Sequence, residues 1–327
     1  MHDVEAIQKV HQAWQRVREQ AGKIIVGQAQ VLEELFLALL SGGHCLLEGV
    51  PGLGKTLMVR TLASALSLEF QRIQCTPDLM PSDITGSEML GEKREMKFFR
   101  GPVFTNILLA DEINRTPPRT QSALLEAMQE RQVTVGRERY PLPSPFFVLA
   151  TQNPIEQEGT YPLPEAQLDR FLFKSRVTYP SRQEELDILL QTTGERDVEV
   201  TPVLDAQELL EILPLIRRVP IAGNLAEMAC DWCRKTRPET DLSGELAAWI
   251  REYVAWGAGP RAGQSLILGA KARAVLNGRY CVEAGDLRAI APAVLRHRIK
   301  TRFTADAQGI TPDDVVRKIL ETPSQGA

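Results

Sequence analysis

A glycine-rich loop that ends in lysine and threonine is the segment of this sequence best suited to chemistry. Residues 49–56 read G-V-P-G-L-G-K-T, which fits the pattern G-x-x-x-x-G-K-[ST]. An apolar run at residues 45–47 predicts a buried strand before the loop, and residues 57–68 predict a helix after it. Glycines let backbone N–H groups turn inward around a polyphosphate, and the helix start adds a positive dipole. This context favours a nucleotide phosphate site over a glycine-rich turn without a ligand.

The lysine and threonine of this loop have distinct predicted roles. Lys55 would reach the β- and γ-phosphates of the nucleotide, and Thr56 would place its hydroxyl on Mg²⁺. The neighbouring residues would wrap the phosphates with their backbone N–H groups. The residues of the loop that are predicted to bind the nucleotide are Gly49, Pro51, Gly52, Leu53, Gly54, Lys55, Thr56 and Leu57.

Two adjacent carboxylates follow another apolar run and supply the second half of a hydrolytic site. Residues 107–110 are apolar, and Asp111 and Glu112 come directly after them. Asp111 would hold Mg²⁺ through its water shell, and Glu112 would orient and polarise the attacking water. An acidic pair at a strand end is a weak signal alone. Together with the phosphate loop, it favours nucleotide hydrolysis over a solvated acidic turn.

A polar amide, Asn153, follows the next apolar strand, which is predicted at residues 146–151. An asparagine before a proline is more often a turn residue than a functional one. Its place directly after a buried strand outweighs that preference. We expect Asn153 to lie beside the γ-phosphate, where it can position water or sense the phosphate.

The order of strands and helices predicts a three-layer α/β domain with a mainly parallel sheet. Strands are predicted at residues 45–47, 70–74, 106–110, 146–151 and 175–179, with helical patterns between most of them. After Pro180 the pattern is almost wholly helical, and it opens with a capping box at Ser181 and Glu184. We therefore expect a nucleotide-binding core at residues 1–179 and a C-terminal all-helical lid at residues 180–327.

Composition argues against some partners and locations. The 327 residues are 43% hydrophobic and 24% charged, with a net charge of -4. Nucleic acid is therefore a disfavoured ligand, because an overall basic footprint is absent. No apolar run approaches the roughly 18–20 residues that span a bilayer, and the N-terminus lacks the pattern of a signal peptide. Together with five scattered cysteines, these features indicate a cytoplasmic protein.

Cys230 and Cys233 form a single C-x-x-C inside a helical pattern. A structural zinc site would need two further ligands at suitable spacing, and the sequence offers none. We therefore expect both cysteines to be small core residues rather than metal ligands.

Several motifs that occur in order give the chain a family resemblance. Those that resemble the AAA+ ATPases are the phosphate loop, Asp111–Glu112, Asn153, L-D-R-F at residues 168–171 and G-P-R at residues 259–261. Those that look like the MoxR family within that superfamily lie at residues 109–115, 121–128, 150–154 and 163–171. The resemblance extends over residues 24–299, which is nearly all of the chain.

The resemblance implies roles for three further polar residues. Asn153 matches the first sensor of AAA+ proteins. Arg170 matches their arginine finger, which enters the site of the neighbouring subunit and neutralises charge that develops during phosphoryl transfer. Arg261 matches the second sensor, which acts either in its own subunit or in a neighbour. By residue type alone, Arg170 would instead be interpreted as part of a surface ion pair.

The resemblance also implies where the base of the nucleotide binds. Ile25, Val26 and Gly27 match the segment that lines the adenine and ribose in this superfamily. Apolar residues there suit a flat base. An Asn-Lys-x-Asp guanine-reading motif does not occur, so ATP is favoured over GTP.

Two predicted hairpins, at residues 86–101 and 131–143, match insertions of this superfamily. They either face a pore or a client, or they only decorate the surface. The family resemblance implies an ATPase that forms a ring, with a hexamer expected, and remodels a protein client together with a von Willebrand factor A domain partner. The alternatives are a nucleic-acid-dependent motor and a chelatase-type motor subunit. A non-catalytic scaffold is disfavoured because the catalytic set is intact.

Overall fold

The structure is a computed structural model that describes residues 3–90, 95–155, 159–194, 198–240 and 243–322. The chain divides into two compact units. The sheet unit lies within residues 12–164 and 175–211, and the helical unit lies within residues 1–11, 165–174 and 212–327. The segment at residues 165–174 therefore groups with the C-terminal helices. The division into a core at residues 1–179 and a lid at residues 180–327 stays a prediction.

Strands and helices alternate in the first part of the chain, and helices dominate the second part. The strands are β1 (Cys45–Glu48), β2 (Phe70–Gln74), β3 (Gly86–Leu90), β4 (Met96–Arg100), β5 (Ile107–Asp111), β6 (Gln132–Val135), β7 (Glu138–Pro141), β8 (Phe147–Gln152), β9 (Phe173–Arg176), β10 (Val254–Trp256) and β11 (Lys300–Thr301). The helices are α1 (Asp3–Gly22), α2 (Ala29–Leu40), α3 (Lys55–Ala65), α4 (Pro81–Thr85), α5 (Pro118–Glu130), α6 (Glu165–Leu168), α7 (Arg182–Thr192), α8 (Ala206–Arg218), α9 (Gly223–Lys235), α10 (Glu245–Tyr253), α11 (Pro260–Leu276), α12 (Ala284–Leu295), α13 (Phe303–Ala307) and α14 (Pro312–Glu321). Of the helices described, none combines the length and apolar character needed to cross a membrane.

Five strands form the central sheet in the order β2-β5-β8-β1-β9. The pairs β2–β5, β5–β8 and β8–β1 are parallel. β5 is buried at every position and β8 at every position except its last, as expected of parallel strands that are covered on both faces. The predicted α/β fold with a mainly parallel sheet and a C-terminal helical region is confirmed. The carboxyl ends of β1, β5 and β8 meet at one edge.

Two local predictions differ from the structure. The strand expected at residues 175–179 occupies Phe173–Arg176 instead. The C-terminal region is not wholly helical, because β10 pairs antiparallel with β11, with Val254 opposite Thr301. That pairing joins segments far apart in the sequence, and local periodicity carries no information about such a contact.

Both predicted hairpins contain antiparallel strand pairs. β3 pairs with β4, and β6 pairs with β7. Residues 91–94, which belong to the hairpin predicted at residues 86–101, lie outside the described residues. The rings of Phe98 on β4 and Tyr140 on β7 stack with their centroids 4.2 Å apart. The two insertions are therefore neighbours, although 42 positions separate these two aromatic residues.

The two cysteines of the C-x-x-C differ in burial. Cys233 is buried and Cys230 is exposed, so the expectation of a core position was wrong for Cys230. The apolar face of α9 is set by Ala229, Trp232 and Cys233, and Cys230 lies outside that face. Among the described residues, no cluster of His, Cys, Asp or Glu side chains is suited to holding a metal ion.

His44 is a buried titratable group just before β1. Its Nδ1 accepts a hydrogen bond from the backbone N–H of Val148 at 3.0 Å, and its Nε2 lies 3.1 Å from the carbonyl oxygen of Met128. These contacts require a neutral ring with its proton on Nε2. Burial lowers the pKa of His44 from 6.5 to about 4.

We expect this histidine to make the fold sensitive to mild acid. The neutral ring contributes stability fully above pH 6.5, and the contribution is lost as the pH falls through about 4, because the unfolded chain takes up its proton first. The shift in pKa corresponds to about 3 kcal/mol. The His44→Gln variant should show a flatter dependence of the free energy of unfolding on pH, measured by urea denaturation between these limits. A slope as steep as that of the wild type would contradict the prediction.

Candidate active site

Glycines shape the phosphate loop between β1 and α3. Gly52 and Gly54 have φ values of 84° and 72°, which residues with side chains rarely adopt. Gly49 is buried, and a Cβ there would lie 2.8 Å from the carbonyl oxygen of Val177. α3 begins at Lys55, so the loop leads directly into a helix N-terminus. This geometry suits a phosphate group held by backbone N–H donors.

A cleft of about 410 Å³ opens beside the loop. It is lined by loop residues 51–57 and by side chains that lie in three strands or directly after them: Arg72 and Gln74 (β2), Asp111 and Glu112 (β5), and Thr151 and Asn153 (β8). Its volume falls in the range of small-molecule binding sites. The predicted residues Lys55, Thr56, Asp111, Glu112 and Asn153 therefore share one cleft, although they come from three separate parts of the chain.

The ammonium group of Lys55 lies against the backbone of the loop. It donates hydrogen bonds to the carbonyl oxygens of Gly49 at 2.6 Å and Val50 at 2.8 Å. Burial lowers the pKa of Lys55, and the carboxylates of Asp111 and Glu112 oppose that shift. Lys55 is therefore a partly desolvated cation beside two anions, in a cleft where a polyphosphate would add further negative charge.

Thr151 joins the two acidic residues. Its hydroxyl donates to Asp111 Oδ1 at 2.6 Å and accepts from the backbone N–H of Glu112 at 2.8 Å. Glu112 has a φ of 61°, which is uncommon for a residue other than glycine. The threonine thus supports a sparsely populated backbone conformation at the residue predicted to orient water.

Two residues of the edge strand β2 also line the cleft, and sequence analysis did not predict either of them as a site residue. Arg72 Nη2 lies 2.7 Å from Asp111 Oδ2, and Gln74 Nε2 donates to Glu112 Oε2 at 3.2 Å. The parallel register places Gln74 opposite Asp111. The sequence shows only that two polar residues lie two positions apart in a predicted strand. The register between β2 and β5 is what places them beside the acidic pair.

Arg115 pairs with one of the catalytic candidates in its own chain. Its Nη1 lies 3.1 Å from Glu112 Oε2, and 42% of the Arg115 side chain is exposed. Such a half-exposed pair contributes little to stability. Arg115 therefore lies next to Glu112, as Arg72 lies next to Asp111.

Asn153 combines the two behaviours that its sequence position suggests. It is buried, and its Oδ1 accepts a hydrogen bond from the backbone N–H of Ile155 at 3.1 Å, as in an Asx turn. The same side chain lines the cleft. The turn therefore fixes the orientation of an amide that faces the predicted phosphate position.

The donor set of the cleft fits a magnesium ion. The Asp111 carboxylate and the Thr56 hydroxyl both line it, and such oxygen ligands are those that Mg²⁺ prefers. Asp111 already has protein partners on both oxygens, Thr151 on Oδ1 and Arg72 on Oδ2. Binding of the ion through its water shell is therefore more compatible with this arrangement than direct coordination.

The three residues expected to line the adenine are not among those that line the cleft. Gly27 has a φ of 70°, and a Cβ there would lie 2.6 Å from Glu184 Oε1. Ile25 and Val26 are partly buried. The predicted contact of Ile25, Val26 and Gly27 with the base stays a prediction.

The two predicted catalytic arginines belong to the helical unit. Arg170 follows α6, and Arg261 is the second residue of α11. Arg261 Nη1 lies 3.9 Å from Asp169 Oδ2, and 52% of the Arg261 side chain is exposed. The cleft residues all belong to the sheet unit.

Comparison with known proteins agrees with the fold. Residues 44–173 match the family model described as "ATPase family associated with various cellular activities (AAA)", and residues 246–319 match that of the AAA lid domain. The crystal structure of a protein from Cytophaga hutchinsonii, described as a candidate ATPase, superposes with a TM-score of 0.90 at 41% identity. That superposition covers 98% of this chain and 97% of the other. The fold and the matched domains define an AAA+ ATPase.

Similar sequences identify the family within that class. The Chaperone MoxR1 of Mycobacterium tuberculosis is 46% identical over 92% of this chain and 79% of its own length. The Protein MoxR of Methylorubrum extorquens is 30% identical over 94% of this chain and 93% of its own length. The chain belongs to the MoxR family of AAA+ ATPases.

We expect Thr151→Val to damage catalysis beyond its effect on stability. The valine keeps the shape of threonine but leaves the Glu112 N–H without its acceptor and Asp111 Oδ1 without the donor from Thr151, which costs about 1–3 kcal/mol of stability. Because the acidic pair would lose its alignment, the kcat for ATP hydrolysis should fall about 10- to 100-fold.

The matched control is Thr105→Val, since the buried Thr105 hydroxyl donates to the Glu69 carbonyl at 2.9 Å, and Thr105 is not among the cleft residues. This variant should lose similar stability while keeping its turnover. Steady-state ATPase assays and urea unfolding of both proteins measure the difference. Equal kcat values for the two variants would refute a specific role for Thr151.

Proposed function

We propose that this ATPase acts as a Mg²⁺-dependent ring of identical subunits that remodels or matures a protein client. The observation that carries the catalytic part is the convergence of Lys55, Thr56, Asp111, Glu112 and Asn153 on one cleft. A phosphate loop, a strand-end acidic pair and a polar amide at adjacent strand ends are the groups that nucleotide hydrolysis requires.

The residues of the cleft divide the work of hydrolysis. Lys55 would bind the β- and γ-phosphates, and Thr56 with Asp111 would hold a magnesium ion, which neutralises phosphate charge when bound. Glu112 orients and polarises the attacking water, in a position fixed by Thr151 and Gln74. Asn153 lines the same cleft, where it would position that water or sense the γ-phosphate.

A neighbouring subunit supplies the remaining positive charge. Arg170 is the proposed finger that enters the cleft of the next subunit, where it neutralises charge that develops on the phosphate. Arg261 is the proposed second sensor, in its own subunit or in the neighbour. The AAA+ class supports this arrangement. The proposed ring is a hexamer.

The proposed use of the ATPase cycle is remodelling of a protein client in the cytoplasm. The name of the Mycobacterium tuberculosis relative, Chaperone MoxR1, supports it. Hydrolysis and product release would reorient the helical lid, and the ring would transmit the motion to the client. A von Willebrand factor A domain protein is the proposed partner, by analogy with the family.

A locally basic segment near the C-terminus could be taken as an argument for a nucleic-acid motor. Residues 294–300 read V-L-R-H-R-I-K and are locally basic in sequence, yet Arg298 and His297 are buried. The side chain of Arg296 is only 10% exposed and pairs with Asp313. These three side chains are therefore not presented to a phosphate backbone. Lys300, the remaining basic residue of the stretch, is exposed and pairs with Glu165. A chelatase-type motor subunit remains the other alternative, and it differs from the proposal in its partner rather than in these residues.

Subunit mixing tests the shared site. Lys55→Ala should be inactive because it does not bind the nucleotide, yet it still carries Arg170. Arg170→Ala should be inactive because it lacks the finger, yet its own cleft is intact. We expect the mixture to recover ATPase activity in a concentration-dependent manner, because Lys55→Ala subunits donate fingers to Arg170→Ala clefts.

The control mixture pairs Lys55→Ala with the double variant Lys55→Ala/Arg170→Ala. It should stay inactive, since no subunit has a competent cleft. If the mixture of Lys55→Ala and Arg170→Ala stays inactive although native mass spectrometry shows mixed assembly, Arg170 is not the finger that acts in the neighbouring subunit. Arg115, Arg119 and Arg261 would then be tested in the same way.

Stimulation assays separate the proposal from a nucleic-acid motor. We expect single-stranded and duplex DNA to leave the ATPase rate within about twofold of its basal value at physiological salt, because the chain lacks a basic footprint. The rate is measured with a coupled ADP-release assay. Several-fold stimulation by either DNA would favour the motor function instead.

A further inference from the structure

Arg298 holds the backbone around the proposed arginine finger. Its side chain is only 2% exposed, and its Nε donates to Asp169 Oδ1 at 2.7 Å. Its Nη2 donates to the carbonyl oxygens of Asp169 at 3.2 Å and Phe171 at 2.7 Å, and its Nη1 donates to that of Leu172 at 3.1 Å. One guanidinium therefore contacts the residues on both sides of Arg170.

The same segment is also fixed by its own backbone and by His297. The N–H of Arg170 donates to Gln167 at 3.1 Å, and that of Phe171 donates to Leu168 at 3.1 Å. Nε2 of the buried His297 lies 3.1 Å from the carbonyl oxygen of Phe171. The backbone that carries the finger is thus bonded through its donors and its acceptors, which leaves little freedom for the Cα of Arg170.

Arg298 connects this segment to the helix that carries the other predicted catalytic arginine. Its Nη2 donates to Ser265 Oγ at 3.3 Å, and its Nη1 donates to the Val294 carbonyl at 2.6 Å. Ser265 lies one turn after Arg261 on α11. The Asp169 carboxylate also contacts both arginines, since its Oδ1 bonds Arg298 and its Oδ2 lies 3.9 Å from Arg261 Nη1.

We propose that Arg298 and Asp169 are positioning residues that fix Arg170 and hold it to the helix bearing Arg261. The inference rests on the proposed role of Arg170 as a finger. Arginine is required at position 298 because its planar fork serves several acceptors at once, which the single ammonium of lysine cannot reproduce. The finger and the second sensor then move together with the helical unit.

Two conservative variants test this pair. Arg298→Lys keeps the charge but loses the fork, and Asp169→Asn keeps the shape but loses the charge. Both leave every cleft residue unchanged. We expect each variant to bind mant-ATP with wild-type affinity and to lose about 10- to 100-fold in kcat, with little change in the KM for ATP, because only the transition-state contact of the finger is displaced.

Directional mixing separates positioning from general damage to the fold. Each variant mixed with Lys55→Ala should recover activity, because Lys55→Ala subunits supply correctly placed fingers to its intact cleft. Each variant mixed with Arg170→Ala should stay at the low activity of the variant alone, because neither subunit offers a correctly placed finger. A merely structural lesion has no reason to show this asymmetry.

Arg279→Lys is the matched control. Arg279 pairs with Asp286, a carboxylate with no exposed surface in the same helical unit, and its bonded partners lie outside residues 169–172. This variant should lose comparable stability and keep its kcat. Thermal unfolding of all three variants measures the loss.

Several results would overturn the inference. Near-wild-type kcat in both positioning variants, recovery with Arg170→Ala, or no recovery with Lys55→Ala despite mixed assembly would each exclude it. Failure of both variants to fold would assign the pair to folding alone. If the reference mixture of Lys55→Ala and Arg170→Ala stays inactive, Arg170 is not the finger. The inference then fails because its premise fails, and the reference mixture distinguishes this case from a failure of Arg298 and Asp169 as positioning residues.

Discussion

The parallel pairing of β1, β8 and β5 is the constraint on which the site depends. Because the three strands run in the same direction, the phosphate loop, Thr151 and the acidic pair leave the sheet at one edge. The registers Leu47↔Thr151 and Ala110↔Ala150 set the depth at which each group emerges. A slip of one residue would turn Thr151 to the other face and separate it from Asp111 and Glu112.

Electrostatic balance is the second constraint on the cleft. Two carboxylates lie beside Lys55, and each also has an arginine partner in the same chain, Arg72 for Asp111 and Arg115 for Glu112. These ion pairs offset part of the negative charge of the acidic pair. Any ion or phosphate that enters the cleft therefore joins an existing network of charges, and its binding depends on side chains beyond the motif residues.

The residues of the site that sequence motifs predicted are those whose position is set locally. The phosphate loop needs only its glycines and the flanking strand and helix, and the acidic pair needs only the end of an apolar run. Thr151, Arg72 and Gln74 are different, because their roles come from cross-strand register. The exposure of Cys230 and the β10–β11 pair likewise depend on packing between segments that are distant in the chain.

The sequence by itself determined the class of fold, the loop that binds phosphate and the residue types available for hydrolysis, since each is encoded within a few consecutive positions. The tertiary structure decided which side chains meet. It placed residues 165–174 with the C-terminal helices and buried Arg298 against Asp169, so that a stretch that looks like a basic surface became an internal anchor. The physical reason is that burial and hydrogen-bond partners depend on contacts between distant parts of the chain. Arg298 and Asp169 are 129 positions apart, and a local sequence pattern carries no information about such a contact.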